Sequence, residues 1–292
     1  MGKIEVQEGK SANKEERKPM RTKWVVVLAA MSLLTILPAL AEVSANSPES
    51  GAVIGTHQNR PMKFHRVRKD GTVESTNWSG YAVTGSSFTV AEGSWTVAAV
   101  NCSQTPNTYA AFWVGIDGYS SDSVEQTGTL AECNGTSAIY YAWYEFYPNP
   151  MYEITSVPVS PGNEISASVT YNGSKFTTTI KNVTTGNSYS KTARVRGAAR
   201  SSAEWIAEAP CCTGSGGILP LADFGTAYFG QDYTDVSGTN DATDSTTSGA
   251  ISAFGGDVQE IIMVNGSTGA DEAVPSSLTS DGTSFTVAWE SE

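Results

Sequence analysis

Short runs of alternating apolar and polar residues, separated by turn residues, constrain the fold of this chain more than any other feature. The clearest case is the run 165–171, followed by Asn172-Gly173 and then by the alternating run 175–180. Two such runs joined by Asn-Gly predict a β-hairpin with a type I′ turn. No segment of 72–292 keeps a helical periodicity beyond about two turns. The pattern predicts an all-β fold, a sandwich or a barrel, that fills residues 72–292 as one domain.

The first 41 residues have the composition of a secretory signal peptide. Polar and basic residues over 1–23 precede an apolar run over 24–41, which ends in the small-residue pattern Ala39-Leu40-Ala41. Met20 would also serve as the true start, because Arg-Thr-Lys follows it. A membrane anchor is the alternative, but a run of 18 residues with Pro38 near its end is a marginal span. We expect a secreted protein with no membrane attachment once the signal is removed.

Basic and acidic residues are distributed unevenly. The first 70 residues carry 12 of the 18 Lys and Arg residues, whereas the remainder carries 6 basic and 23 acidic residues. An acidic surface repels nucleic acid and anionic membranes, so no nucleic-acid partner is expected. Its self-repulsion fades as carboxylates protonate near about pH 3–4, which favours an acidic working environment. Simple solubility at neutral pH is the alternative explanation of this charge.

Residues 42–71 differ in composition from the acidic domain on their C-terminal side. The stretch 44–55 is small and polar, and 60–69 is a basic patch with few core-forming residues. We interpret 42–71 as a short basic propeptide, held on the acidic domain by electrostatic attraction and released when the domain's carboxylates protonate. A disordered tail is the simpler alternative.

Four cysteines, Cys102, Cys133, Cys211 and Cys212, predict disulfide bonds in an exported chain. Cys102 and Cys133 are a plausible long-range pair. The adjacent Cys211 and Cys212 could bridge each other, or one of them could pair with Cys102 or Cys133. The three pairings that four cysteines allow therefore stay open.

Histidine usage removes several kinds of chemistry. The two histidines, His57 and His65, lie in the basic N-terminal part. A domain that begins near Thr72 has no histidine for a Ser-His-Asp triad, a Cys-His pair or a His-ligated metal. Carboxylates remain as the acid–base groups, assisted by amides and aromatic residues, and we expect no metal and no cofactor.

Polar side chains embedded in strand-like sequence mark the candidate site. The run 111–118 contains Trp113 and Asp117, and the run 124–128 contains Gln126. A glutamine amide can accept a hydrogen bond from a water and donate one to a carbonyl oxygen. A donor placed where charge develops on that oxygen stabilises the transition state. A strand glutamine that faces solvent is the commoner alternative.

The segment 202–208 supplies carboxylates in a similar setting. Strand alternation places Glu204, Ile206 and Glu208 on one face and the residues between them on the other. A carboxylate beside Trp205 and Ile206 loses solvation, which would raise its pKa. The alternative is an exposed edge strand with two solvated glutamates.

The run 140–148 is the densest in aromatic residues. As a strand it places Tyr141, Trp143, Glu145 and Tyr147 on one face. That face could line a groove for an extended polymer. Aromatic grooves also bind sugars, so this run alone does not decide the substrate.

Five motifs occur in order along residues 72–292. They are Thr72-Val-Glu-Ser-Thr-Asn-Trp-Ser-Gly80, Phe112-Trp-Val-Gly-Ile-Asp-Gly118, Val124-Glu-Gln-Thr-Gly128, Ala142-Trp-Tyr-Glu-Phe-Tyr-Pro148 and Ser202-Ala-Glu-Trp-Ile206. Each is weak alone, but together they resemble the glutamic peptidases (eqolisins).

The resemblance implies a fold, a reaction and a set of site residues. The fold would be a concanavalin-like β-sandwich of two antiparallel sheets, and the activity that of an acid-acting endopeptidase on polypeptide substrates. The resemblance also implies a zymogen, made with its own propeptide as a partner, whose mature chain starts near Thr72. The implied catalytic dyad is Gln126 with Glu204, supported along the cleft by Trp113, Asp117, Glu145 and Tyr147.

Two other functions stay open from the residues. A glycosidase could use two carboxylates, such as Glu204 with Glu145. A non-catalytic carbohydrate-binding module would depend on Trp113 and Trp143 instead. A monomer is expected, since no sequence feature requires a second chain.

Overall fold

The computed structural model describes residues 57–212 and 217–292, and their regular structure is almost entirely β-strand. The predicted signal peptide over 1–41 lies outside the described residues, as does the first half of the predicted propeptide. The strands are β1 His57–Gln58, β2 Phe64–Val67, β3 Val73–Ser75, β4 Trp78–Thr84, β5 Val90–Thr96, β6 Tyr109–Ile116, β7 Val124–Asn134, β8 Ser137–Tyr147, β9 Tyr152–Glu153, β10 Glu164–Tyr171, β11 Phe176–Asn182, β12 Ser188–Ala193, β13 Ser202–Glu208, β14 Cys211–Cys212, β15 Thr226–Phe229, β16 Asp241–Thr243, β17 Ser248–Ala250, β18 Val258–Val264, β19 Asp271–Pro275 and β20 Phe285–Trp289.

These strands form two layers, and their pairing is almost entirely antiparallel. The first sheet has the spatial order β9–β8–β7–β6–β13–β4–β18, and β3 extends it by pairing in parallel with β18. The second sheet has the order β12–β11–β10–β5–β15–β20–β19. Because β19 also pairs with β18, the two layers are joined along one edge. The prediction of an all-β sandwich is confirmed.

The helical structure of the described residues is short. It comprises the helix α1, Gln231–Thr234, and a 3-10 helix over Ile251–Asp257. No helix within 57–212 and 217–292 has the length and apolar character needed to cross a membrane.

Strand alternation gives the first sheet two apolar faces. One face packs on the second sheet: Trp205 from β13 and Phe112 from β6 share a buried cluster with Trp95 from β5. The opposite face carries a second buried cluster that includes Trp113 and Ile206. The polar candidate residues lie on this second face, so the fold places them outside the central core.

The basic N-terminal segment is part of the fold from residue 57 onward. Strand β1 pairs with β14, and β2 pairs with β3 at the edge of the first sheet. Arg66 and Arg68 both form ion pairs with the buried Glu74, and Arg68 also bonds Asp271. Between β1 and β2, residues 59–63 cross the outer face of the first sheet.

Two of the four cysteines are joined by a disulfide bond in the structure. Cys102 and Cys133 form a disulfide bond, the pair favoured from the sequence. The buried Cys211 thiol donates a hydrogen bond to the carbonyl oxygen of Gly217 at 3.1 Å.

Candidate active site

Four neighbouring strands place the predicted dyad in one row. Gln126 of β7 is in register with Glu145 of β8 on one side and with Gly115 of β6 on the other, and Gly115 is in register with Glu204 of β13. Neighbouring strands lie about 4.8 Å apart, so Glu204 is roughly 10 Å from Gln126 across the sheet. Gln126, Glu145 and Glu204 are all fully buried.

The gap between these residues is filled by the indole ring of Trp113. A Cβ atom on Gly115 would lie 2.9 Å from the Trp113 ring and 3.3 Å from the Gln126 side chain, so only glycine leaves room for the ring there. The ring packs edge-on against Trp78, with centroids 4.9 Å apart. Its Nε1–H donates to Glu208 Oε2 at 2.9 Å. Trp113 therefore orients the carboxylate of Glu208, not that of Glu204.

The Gln126 amide uses both of its N–H groups. Nε2 donates to Glu145 Oε2 at 3.0 Å and to the backbone carbonyl oxygen of Asn59 at 3.0 Å. Both partners are acceptors, which fixes the amide with its nitrogen on this side. Its oxygen, Oε1, is buried and has no hydrogen-bond partner among the described residues.

The segment 59–63, which bends at Pro61, lies across these side chains. The Asn59 N–H donates to Glu145 Oε2 at 3.1 Å, and the Arg60 N–H donates to Glu208 Oε1 at 3.0 Å. The Arg60 carbonyl accepts from Trp78 Nε1 at 3.0 Å. The peptide bond between Asn59 and Arg60 is thus held at its oxygen by Gln126 and at its nitrogen by Glu208.

Burial sets the protonation behaviour of the two contacting carboxyl groups. Both Glu145 and Glu208 have a pKa well above the ordinary value, chiefly because burial penalises their charged form. The charge of Glu208 raises the pKa of Glu145 further. The hydrogen bonds from Arg60 N–H and Trp113 act in the opposite direction on Glu208. The pair therefore takes up its first proton more readily than an isolated, solvated carboxyl group does.

Glu204 has different surroundings. Neither of its carboxyl oxygens has a hydrogen-bond partner among the described residues. Burial raises its pKa well above the ordinary value, and the neighbouring Asp117 and Glu125 raise it further. Within the described part of the chain, no contact links Glu204 to the peptide 59–63. Glu204 therefore lies next to the residues that contact the peptide 59–63 but is not one of them.

Asp117 holds the backbone of the chain just before β13. At the end of β6 it adopts a left-handed conformation, φ 72°. Its carboxylate accepts hydrogen bonds from the N–H groups of Arg200 and Ser201, at 2.7 and 2.9 Å, and from the Ser201 hydroxyl at 3.1 Å. These bonds fix the point at which the chain enters β13.

The structure thus brings together part of the predicted set. Gln126, Trp113 and Glu145 meet around one peptide bond, whereas Tyr147 packs partly buried at the margin of the apolar cluster. The residues that sequence reasoning missed at this site are Trp78, Glu208, the segment 59–63 and Asn77. Asn77 Nδ2 donates to Glu208 Oε1 at 3.4 Å. Two features of the sequence could have indicated these residues. Glu208 lies on the same strand face as Glu204, and Trp78 belongs to the motif Asn-Trp-Ser-Gly.

The chain is similar in sequence to known proteins. The model of the Peptidase A4 family matches residues 76–288. Aspergillopepsin-2 of Aspergillus niger is 30% identical over 53% of this chain and 62% of its own length. Scytalidopepsin B of Scytalidium lignicola is 34% identical over 61% of this chain and 69% of its own length. This chain therefore spans less than two thirds of the first of these relatives.

A solved structure shows the same fold. The crystal structure of scytalido-glutamic peptidase with a transition state analog inhibitor superposes with a TM-score of 0.61 at 25% identity. The match covers 74% of this chain and 98% of that one.

Proposed function

The chain belongs to the Peptidase A4 family, and we propose on that premise that it hydrolyses peptide bonds of polypeptides with a water molecule activated between Gln126 and Glu208. The observation that carries the proposal is the Asn59–Arg60 peptide. Its carbonyl oxygen lies 3.0 Å from Gln126 Nε2 and its nitrogen 3.0 Å from Glu208 Oε1. These are the two atoms of a peptide bond that change charge during hydrolysis.

Each residue then has a distinct part in the reaction. Glu208 accepts a proton from the water as the oxygen attacks the carbonyl carbon, and Gln126 Nε2 stabilises the negative charge that develops on the carbonyl oxygen. Glu208 returns the proton to the leaving nitrogen, which its Oε1 already faces. The unpartnered Gln126 Oε1 is placed to accept a hydrogen bond from the water.

Glu145 and Trp113 hold the two reacting side chains in place. Glu145 accepts the second N–H of Gln126 and so keeps the amide nitrogen turned toward the substrate oxygen. Trp113 fixes Glu208 through its indole N–H. The proposal assigns to Glu208 the role that the family resemblance had suggested for Glu204, because Glu208 contacts the peptide.

The proposal includes action in acid. Glu145 and Glu208 repel each other when both are ionised, and burial makes the charged form of each costly. Protonation of Glu145 in acid removes this repulsion, while Glu208 stays ionised and can accept the proton of the water.

The proposal also includes secretion and an inhibited precursor. The apolar run over 24–41 and the Cys102–Cys133 disulfide support an oxidising, extracellular location. Because residues 59–63 occupy the site, the precursor would stay inactive until they are displaced. The ion pairs of Arg66 and Arg68 with Glu74 support an electrostatic hold on the basic segment.

Hydrolysis of a denatured protein from about pH 3 to about pH 7 tests the function. We expect acid activity in the wild type, a loss of about 100-fold or more in Gln126→Ala, and a similar loss in Glu208→Gln. Glu204→Gln is the matched control on the same strand face, and it should keep most of the activity while circular dichroism shows all variants folded. Full activity in Glu208→Gln, or its loss in Glu204→Gln alone, would contradict the assignment.

A further inference from the structure

We infer that the chain cleaves itself between Asn59 and Arg60. This inference rests on the proposed function, since it uses the same residues on a peptide bond of the chain itself. The observation behind it is that residues 59–63 present their backbone to the site as a substrate would. A segment that only inhibits could instead cover Gln126 and Glu208 with its side chains, without placing a peptide bond between them.

The contacts of the bond match the requirements of the reaction. Gln126 Nε2 donates to the Asn59 carbonyl oxygen, which becomes the oxyanion. Glu208 Oε1 faces the Arg60 nitrogen, which becomes the leaving amine. Glu145 accepts from the Asn59 N–H at 3.1 Å, and Trp78 donates to the Arg60 carbonyl at 3.0 Å, so the groups on both sides of the bond are also held.

The flanking chain keeps the bond in register. Upstream, Gln58 pairs with Cys211 in the short ladder of β1 and β14. Downstream, the Met62 N–H donates to the Gly118 carbonyl at 2.9 Å, and the Lys63 N–H donates to Asn77 Oδ1 at 2.7 Å. Fixing both ends of a substrate in a reactive geometry supplies a large part of catalysis.

The fit around Asn59 also resembles a substrate pocket. The Asn59 side chain is fully buried, and its Nδ2 donates to Met151 Sδ at 3.3 Å. Met151 belongs to the apolar cluster on the same face of the first sheet as Trp113. The residue on the acyl side of the bond is thus enclosed by the chain's own site.

The cleavage is an ordinary hydrolysis. One water adds to the Asn59 carbonyl carbon while Glu208 takes its proton. The C–N bond to Arg60 then breaks, and the proton passes from Glu208 to the Arg60 nitrogen. The products are the carboxyl group of Asn59 and the α-amino group of Arg60, and no other reactant is consumed.

The position of the cut predicts which part of the basic segment remains. Residues 64–67 form β2, which pairs with β3 in the first sheet, and Arg66 and Arg68 bond Glu74. We expect these residues to stay with the domain after cleavage. The new N-terminus would be Arg60, and not the Thr72 suggested by the family resemblance. With its upstream tether cut, the stretch 60–63 can leave the cleft.

The test follows the full chain after purification at neutral pH and transfer to about pH 4. Intact mass and N-terminal sequencing should show a new N-terminus at Arg60. Because the bond already lies in its own site, the rate should not change when the protein is diluted about tenfold. A new N-terminus only elsewhere, or a rate that falls in proportion to dilution, would overturn the inference.

Two matched variants test the contacts. Arg60→Pro removes the N–H that faces Glu208, whereas Arg60→Ala keeps it. We expect no cut at this bond in the proline variant and a normal cut in the alanine variant. Should Arg60→Pro fail to fold by circular dichroism, Gln126→Ala decides, because it leaves the segment unchanged and should slow the cut by about 100-fold or more. A cut at the wild-type rate in Gln126→Ala would overturn the inference.

Denatured protein added to the same samples separates the two proposals. If wild type hydrolyses the added protein but leaves the Asn59–Arg60 bond intact, self-cleavage is wrong and the proposed function stands. If neither is cut at any pH, the proposed function fails as well.

Discussion

At the scale of single residues, the site is held by hydrogen bonds whose donor and acceptor atoms can be assigned in only one way. Gln126 Nε2 contacts two oxygens, and Trp113 Nε1 contacts a third on Glu208. An indole nitrogen only donates, so Glu208 Oε2 must accept. Trp113 is therefore a residue through which the acid–base behaviour of Glu208 can be changed without replacing the carboxyl group.

Trp113→Phe is predicted to shift the pH dependence of the proposed peptide hydrolysis. The phenyl ring keeps most of the packing on Trp78 but cannot donate to Glu208, and this hydrogen bond is one of the influences that lower the pKa of Glu208. Its loss should raise that pKa further, so the acid limb of kcat/KM should move to higher pH. Trp289→Phe is the control, because its indole N–H has no partner among the described residues. An unchanged profile in Trp113→Phe would count against this role.

Residue-level reasoning from the sequence named Glu204 together with Gln126, Trp113 and Glu145, and it gave no role to Glu208, which our proposal uses instead of Glu204. Both glutamates lie on the same face of β13, two positions apart on that face. The register of β13 with β6 and the path of residues 59–63 decide which glutamate contacts the peptide. The seven residues of β13 alone do not encode either feature, because both depend on distant segments of the chain.

At the scale of elements, β13 is the strand on which the site depends. It lies between β4 and β6, and all seven of its residues are buried. The alternative of an exposed edge strand is therefore wrong. Asp117 fixes the entry into this strand by accepting three hydrogen bonds from the chain at Arg200 and Ser201.

Asp117→Asn is predicted to destabilise the fold rather than to alter the chemistry directly. The new side-chain NH₂ would face backbone N–H groups, which leaves buried donors without acceptors and costs about 1–3 kcal/mol. Denaturant unfolding should show this loss, while Asp122→Asn, in an exposed part of the following loop, should show none. An unchanged free energy of unfolding in Asp117→Asn would contradict the structural role.

Some elements were predictable from local sequence, and others were not. The hairpin of β10 and β11 is confirmed, but its type I′ turn is wrong, because only Gly173 has a positive φ and Asn172 does not. A type I′ turn requires both. The stretch 230–249 is rich in Asp, Thr and Ser and has the composition of a long surface loop, yet it contains α1 and β16 and leads into β17. Strand β16 pairs with β5 on one side and with β17 on the other, and local composition does not reveal these pairings.

At the scale of the whole molecule, the acidic domain hides several carboxyl groups from water. Glu125, Glu145, Glu204 and Glu208 are all fully buried. Burial is the chief cause of a raised pKa in each, and Glu125, whose pKa is raised to about 9, is further affected by Asp117. The buried carboxyl groups are thus a second, internal reason to expect a preference for acid, and sequence composition alone could not show it.

These groups predict that the protein is more stable in acid than at neutral pH. A carboxyl whose pKa is higher in the folded state holds its proton there while the unfolded chain has lost it. Its contribution to stability is complete below the ordinary value of about 4.5 and declines as pH rises toward the folded value, which is about 9 for Glu125. The melting temperature should therefore be higher at about pH 4 than at about pH 8.

Glu125→Gln isolates one group in this effect. The amide cannot ionise, so the variant should melt at a higher temperature than its parent near pH 8, where the parent must keep a buried carboxyl protonated, and the difference should shrink near pH 4. Both proteins should carry Glu208→Gln to prevent self-digestion during heating. Glu290→Gln, at an exposed position, should leave the melting temperature almost unchanged at both pH values. A parent that melts higher at pH 8 than at pH 4 would show that other groups dominate, and an equal gain at both pH values would show that Glu125 acts through packing and not through its proton.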